Sequence, residues 1–209
     1  MEIESFEPYH IGTKLKPTVD IGLLKKKLKN KLKEKEYKVY DSETQNDLML
    51  PNMETLATKE DVRVMFNPLA HAINSVGDNP DNVMNVFQEV NKIILELDYE
   101  EKSTISFYEI VTSISIKSKT TPIEILNKHS NLVLNLFKDC GNLNVIGLRL
   151  SDKLPEDNSE YTEVVIEPKP TSPNKYLLTS IIYRSQDKVK IIEFHNNLRP
   201  NIQKILKSL

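Results

Sequence analysis

The stretch that most constrains the fold lies mid-chain, between Thr104 and Cys140. It opens with Thr-Ile-Ser-Phe-Tyr-Glu-Ile-Val-Thr-Ser-Ile-Ser-Ile, a long run of β-branched and aromatic residues that fits an extended strand. Thr121 and Pro122 then supply an N-cap and a first helical residue, and Ile123, Leu126, Val133, Leu134 and Phe137 form an apolar stripe that predicts a helix ending at Gly141. The same succession occurs about 102 residues earlier. From Tyr9 to Val19 apolar and polar residues alternate, which predicts a half-buried strand. Asp20 follows as an N-cap, and Ile21, Leu24, Leu28 and Leu32 recur at helical spacing to about Glu36.

Each half continues in the same way. In the first, short extended segments are expected around 38–41, 47–50, 62–66 and 69–76. A turn-rich run from Gly77 to Asn82 then starts a helix at Asn79-Pro80, with Val83, Phe87, Val90, Ile94 and Leu97 on one stripe. In the second, strands are expected at 143–150, 161–168 and 176–184. A last helix from about Asp187 carries Ile191, His195, Leu198, Ile202, Ile205 and Leu209, and Pro200 is expected to kink or divide it. An offset of 102 places Ile21 on Ile123, Leu24 on Leu126, Leu32 on Leu134, Phe87 on Val189 and Val90 on Ile192. The expected class is α+β, with helices on one side of antiparallel sheets. Two similar units, 1–99 and 100–209, duplicated and ferredoxin-like or related, would pack as one body.

Ile105, Phe107, Leu143, Val145, Tyr176, Leu177, Leu178, Ile181 and Ile182 make the second half's strands apolar on both faces. Such a sheet is covered on both sides. Helices take one, and the other requires the first unit, a second subunit or an apolar ligand.

Charge supplies the next constraint. The run Lys25 to Lys38 holds eight lysines and two glutamates, a local +6 in a chain of net charge -2, so the remainder carries about -8. On the helix, Lys26, Lys29 and Lys33 lie opposite the leucine stripe, as a row able to contact phosphates or an acidic surface. No arginine and no stacking aromatic is interleaved with the lysines on the helix, so a solvated helix face is the favoured reading. Arginine is scarce, four of 28 basic residues. Arg63, Arg149 and Arg184 fall on or at the end of expected strands, where a guanidinium could bind an anion or pair across strands, for instance with Glu163 or Glu167.

Catalytic signatures are absent from the sequence. Four histidines, His10, His71, His129 and His195, show no metal-ligand spacing, and Cys140 stands alone at an expected helix end. The five glycines form no phosphate-cradling loop. Acidic pairs such as Asp78 and Asp81 fit helix capping. No cofactor or metal is expected. The opening Met-Glu-Ile-Glu-Ser lacks the basic start of a signal peptide, and no apolar run approaches the roughly 18 residues of a membrane span, so a cytoplasmic chain is expected.

These readings lead first to a non-enzymatic interaction or regulatory protein that binds a protein partner, or itself as a dimer, through an apolar sheet face. The alternatives are a small-molecule binder or enzyme with a site between the units at Arg149, Arg184 or His71, and a weak nucleic-acid binder through Lys26, Lys29 and Lys33.

Overall fold

The computed structural model describes residues 1–40, 53–97, 100–130, 134–135, 143–152 and 159–208. The expected strand at 47–50, Cys140 and the Gly141 cap lie outside them. Strand β1 runs Glu2–Leu15, longer than expected at its start and shorter at its end. Pro8 cannot donate to a ladder, and the register against its neighbour shifts between Phe6 and Tyr9, so the proline sits at an irregularity rather than in a regular pairing. Beyond Leu15 the chain turns at Pro17, and Val19 N–H donates to the Lys16 carbonyl at 3.1 Å.

Helix α1, Ile21–Glu34, begins where the Asp20 carboxylate accepts the Leu23 N–H at 3.0 Å, and it buries Leu24, Leu28 and Leu32. A meander follows: β2 Lys38–Val39, β3 Glu54–Lys59, β4 Val62–Asn67 and β5 Ala72–Gly77. Strand β5 starts three residues later than expected. Asn67 Oδ1 accepts the Ala70 N–H and His71 adopts a left-handed φ of 48°, which together close the β4–β5 turn. Helix α2, Pro80–Glu96, is capped by Asn79, whose side chain accepts from the Asp81 and Asn82 N–H groups.

The second half opens with a single turn, α3 Glu101–Thr104, and strand β6 Ile105–Lys117. Helix α4, Pro122–His129, carries a full capping box between Thr121 and Glu124. Strands β7 Leu148–Ser151, β8 Tyr161–Pro168 and β9 Tyr176–Ser185 lead to helix α5, Lys188–Ser208. Leu143 and Val145, expected in a strand, precede β7. Helix α5 continues through Pro200 undivided. That residue and Asn196, whose carbonyl the proline cannot bond, are both exposed, so water can satisfy the lost hydrogen bond.

The nine strands form one antiparallel sheet in the order β2-β3-β4-β5-β1-β6-β9-β8-β7. The fold is mixed α/β. Strands β1 and β6, the first of each half, pair at the centre from Glu2–Lys117 to Leu15–Ile105. Each is flanked outward by the last strand of its own meander, β5 or β9. The order within a half, strand, helix, meander, helix, differs from the β-α-β-β-α-β of a ferredoxin-like unit.

A single core lies between one sheet face and helices α1, α2, α4 and α5, and draws on both halves through Leu28, Phe87, Tyr108, Ile125 and Ile191. Phe87 of α2 packs edge-on against Tyr108 of β6, with ring centroids 5.7 Å apart; His195 of α5 packs edge-on against Tyr9 of β1 at 5.6 Å. Each half's last helix therefore seats a ring on the other half's first strand. The 102-residue offset fails here: Phe87 is 2% exposed but Val189 58%. The buried positions of α5 instead match α2 six residues further on, Ile191 with Val83, His195 with Phe87, Leu198 with Val90 and Ile202 with Ile94. Of the inner polar groups, Thr13 donates to Asn91 at 2.9 Å and Asn91 donates to the Phe87 carbonyl at 2.9 Å, whereas the buried Thr112 hydroxyl has no hydrogen-bond partner among the described residues.

Candidate binding surface

Alternation along the central strands decides what the second sheet face presents. On β1, Tyr9, Ile11, Thr13 and Leu15 point to the helices, so His10, Gly12 and Lys14 point away. Register then carries the assignment across the sheet. His10 lies opposite Val76 of β5 and Val111 of β6, and Val111 opposite Ile182 of β9. Gly12 lies between Asn74 and Glu109, Glu109 opposite Arg184, and Arg184 opposite Tyr161 of β8. Among the described residues no helix packs on this face. Met65, Val76, Phe107 and Tyr161 are buried yet stand outside the helix-side core, as members of this second face.

The face is mixed rather than apolar, which corrects the expectation from β6 and β9. Glu109, Ser113, Ser115, Ser180 and Arg184 alternate with Phe107, Val111, Leu178 and Ile182 because each strand's other set is already committed to the core. At its centre Arg184 donates to Glu109, and its guanidinium lies 5.2 Å from the Phe107 ring centroid and 5.5 Å from that of Tyr161. Rings from both neighbouring strands and a paired carboxylate fix a side chain that would otherwise be flexible. One strand further, Glu163 accepts from the Tyr161 hydroxyl and from Arg149 Nε and Nη2, the latter at 3.0 and 2.7 Å. The Tyr161 hydroxyl and the Arg149 guanidinium together hold the Glu163 carboxyl below its usual pKa.

His10 sits over the β1–β5 boundary beside Asn74. Burial pushes its pKa down, against the Asn74 hydrogen bond and the nearby Glu109 charge, which raise it. Gly12 allows this packing: a Cβ there would lie 2.5 Å from Asn74 Oδ1. Glu7, at the far end of the face, accepts from Lys169 at 2.7 Å, Ser5 at 2.7 Å and Ser115 at 2.8 Å, and these bonds lower its pKa to about 2.

The structure brings Arg149 and Arg184 onto one face, joined through Tyr161 and Glu163, but within the second half rather than in a cleft between halves. Arg149 pairs across strands with Glu163, one of the two partners considered from sequence; Arg184 pairs with Glu109. His71 lies apart, in the β4–β5 turn, where its carbonyl accepts the Leu15 N–H at 2.7 Å. The lysine row is not uniform: Lys26 and Lys33 are exposed, while Lys29 reaches Glu54 of β3 at 3.3 Å beside Lys25 at 2.5 Å. Phe107, Glu109 and Tyr161 were not candidates from sequence, since only the sheet register makes them neighbours of Arg184.

A second polar assembly lies on the helix side. His195 Nδ1 is 2.8 Å from the Tyr9 hydroxyl, and Nε2 is 3.3 Å from Asp81 at the start of α2. Burial lowers the His195 pKa against the opposing Asp81 bond, so the neutral ring accepts from Tyr9 and donates toward Asp81. Tyr9 is fully buried, and burial first, then the Asp81 charge, raise its phenol pKa. The assembly ties β1 to both long helices and offers no accessible nucleophile.

No helix among the described residues is long and apolar enough to cross a membrane. No family model matches the chain, and no curated protein matches it at a significant level.

Proposed function

We propose that the protein is a non-enzymatic interaction protein that binds a protein partner over the helix-free face of its sheet. The carrying observation is the composition and order of that face on β6, β9 and β8. Half-buried Val111, Ile182, Val165 and Leu178 surround an arginine whose guanidinium is in cation–π contact with two aromatic rings. Arginine, tyrosine and phenylalanine held on rigid strands bring large contact area at low entropic cost, the make-up of protein-binding hot spots. The ion pairs Arg184–Glu109 and Arg149–Glu163 are made within the face, so a partner meets a neutral, pre-ordered surface. Nucleic acid is less favoured, because those cations are already neutralised and have little to gain from phosphate.

The two halves are read as copies of one unit. The matching order of elements, the central β1–β6 pair and the crossed Phe87–Tyr108 and His195–Tyr9 contacts support that reading.

A photo-crosslinking residue at Val111 or Val165, compared with one at Lys26 on the exposed side of α1, tests the binding reading. Adducts to a defined protein from the two face positions alone are expected. Equal labelling from Lys26, or no adduct from the face, would overturn it, and a nucleic-acid adduct would replace it with the nucleic-acid reading.

A further inference from the structure

Where β1 ends and β6 begins, the sheet and the start of α5 enclose a groove of about 980 Å³. Sites for small organic molecules span about 300–1,000 Å³, and they combine an apolar lining with a few converging polar groups. This groove has both. Lys14 and Phe107 face each other across the β1–β6 ladder and form its floor, with Phe107 only 9% exposed. Leu69 and Val189, at 76% and 58% exposure, stand at its rim. Isolated apolar side chains are ordinary on a surface, but two that line one cavity mark a place where a ligand could cover them.

The charges are unequal in kind. Glu101 and Asp187 also line the groove, but both are engaged: Glu101 accepts from the Tyr108 hydroxyl, and Asp187 accepts the Val189 N–H at 2.8 Å as the cap of α5. Lys14, Lys102 and Lys188 form no ion pair among the described residues. The His71 Nδ1 is buried without a hydrogen-bond partner among the described residues, a cost that an ordered water would remove. Both carboxylates keep their charge, but four lysines, Lys14, Lys16, Lys102 and Lys188, line the groove against these two, so its lining is net positive beside an aromatic floor.

We propose that this groove binds a small phosphomonoester carried on a flat apolar body, its phosphate among Lys14, Lys102 and Lys188 and its ring against Phe107. Lysine suits this task as a point charge that need not match a planar acceptor. The groove shares Phe107 with the partner-binding face, but Lys14, Lys102 and Lys188 take no part in that reading, and Val111, Ile182 and Val165 lie outside the groove.

Titration of the ¹⁵N-labelled full chain with phenyl phosphate, followed by amide shifts, tests the assignment. Saturable shifts are expected at Lys14, His71, Phe107 and Val189, with inorganic phosphate binding at least about tenfold more weakly because it lacks the ring. The double change Lys14→Gln/Lys188→Gln should weaken phenyl phosphate by about tenfold or more, and Phe107→Leu should weaken it while leaving inorganic phosphate unchanged. Lys26→Gln should leave the titration as in the wild type. Spectral dispersion reports whether each variant is folded. Absence of saturation, equal affinity for inorganic phosphate, or an undiminished response in the folded lysine variant would overturn the proposal.

Discussion

Replacing His195 by phenylalanine isolates the worth of one buried hydrogen bond. The equivalent place on α2 is held by Phe87, which packs edge-on on Tyr108 as His195 does on Tyr9, so a phenyl ring suits the site sterically. His195→Phe keeps the packing and strands the Tyr9 hydroxyl, which has no exposure to water. An orphaned buried hydroxyl costs about 1–3 kcal/mol. With a urea m-value of about 2 kcal/mol/M, the midpoint should fall by about 0.5–1.5 M. Tyr9→Phe strands Nδ1 instead and should cost about 1 kcal/mol. The double variant removes both partners and should return to within about 0.5 kcal/mol of wild type, since paired removal of polar groups from an apolar site is nearly neutral. The assay is urea unfolding followed by circular dichroism. Additive losses would refute the reasoning, for they would mean that the two groups act separately.

The same residue sets a pH dependence. Its folded pKa is lowered, so the folded state favours the neutral ring: stability is complete above the unfolded value of about 6.5 and declines as pH falls through it. His195→Phe should remove part of that decline, with His10, lowered by burial, accounting for a further part.

Other predictions follow from single contacts. Leu28→Ala empties a fully buried position between α1 and the sheet and should cost about 2–5 kcal/mol, read as a lower melting temperature. Gly12→Ala forces a Cβ against Asn74 Oδ1 and should cost about 1–3 kcal/mol, relieved by Asn74→Ala in the same chain; no relief would point to backbone strain instead. Glu7 has a lowered pKa, so the stability it contributes is present above about pH 4.5 and lost as pH falls toward 2; Glu7→Gln should flatten that limb of an acid titration. Thr121→Ala removes the α4 capping box and should cost about 0.5–2 kcal/mol in chemical denaturation.

The sequence disclosed local structure wherever the signal was chemical and short-range. Asp20, Asn79 and Thr121 cap helices as their side chains allow, and the strand expected from Tyr161 to Pro168 matches β8 to its ends. Strand β3 escaped because Glu-Thr-Leu-Ala-Thr-Lys holds only two apolar residues; it is a strand because β4 pairs with it and because Leu56 and Ala57 reach the core. The surface was less legible. Glu109 meets Arg184 across 75 residues of chain, and a lysine row drawn on α1 alone could not foresee that β3 brings Glu54 to Lys25 and Lys29. Side chains on a helix face follow from periodicity, whereas neighbours across a sheet follow from register, which tertiary packing sets.

The central β1–β6 ladder also bears on how the chain reaches this structure. Tyr9 pairs with Thr112 and Glu2 with Lys117, so the middle of the sheet joins residues about 100 positions apart, while β3, β4 and β5 are joined by short turns. Closing so long a loop is entropically expensive, and proteins dominated by such distant contacts fold slowly. The expected sequence of events is two locally formed meanders that remain incomplete until their first strands meet. During synthesis β1 would leave the ribosome with its inner edge unpaired until β6 follows, an interval in which the first half is most exposed to association with other chains.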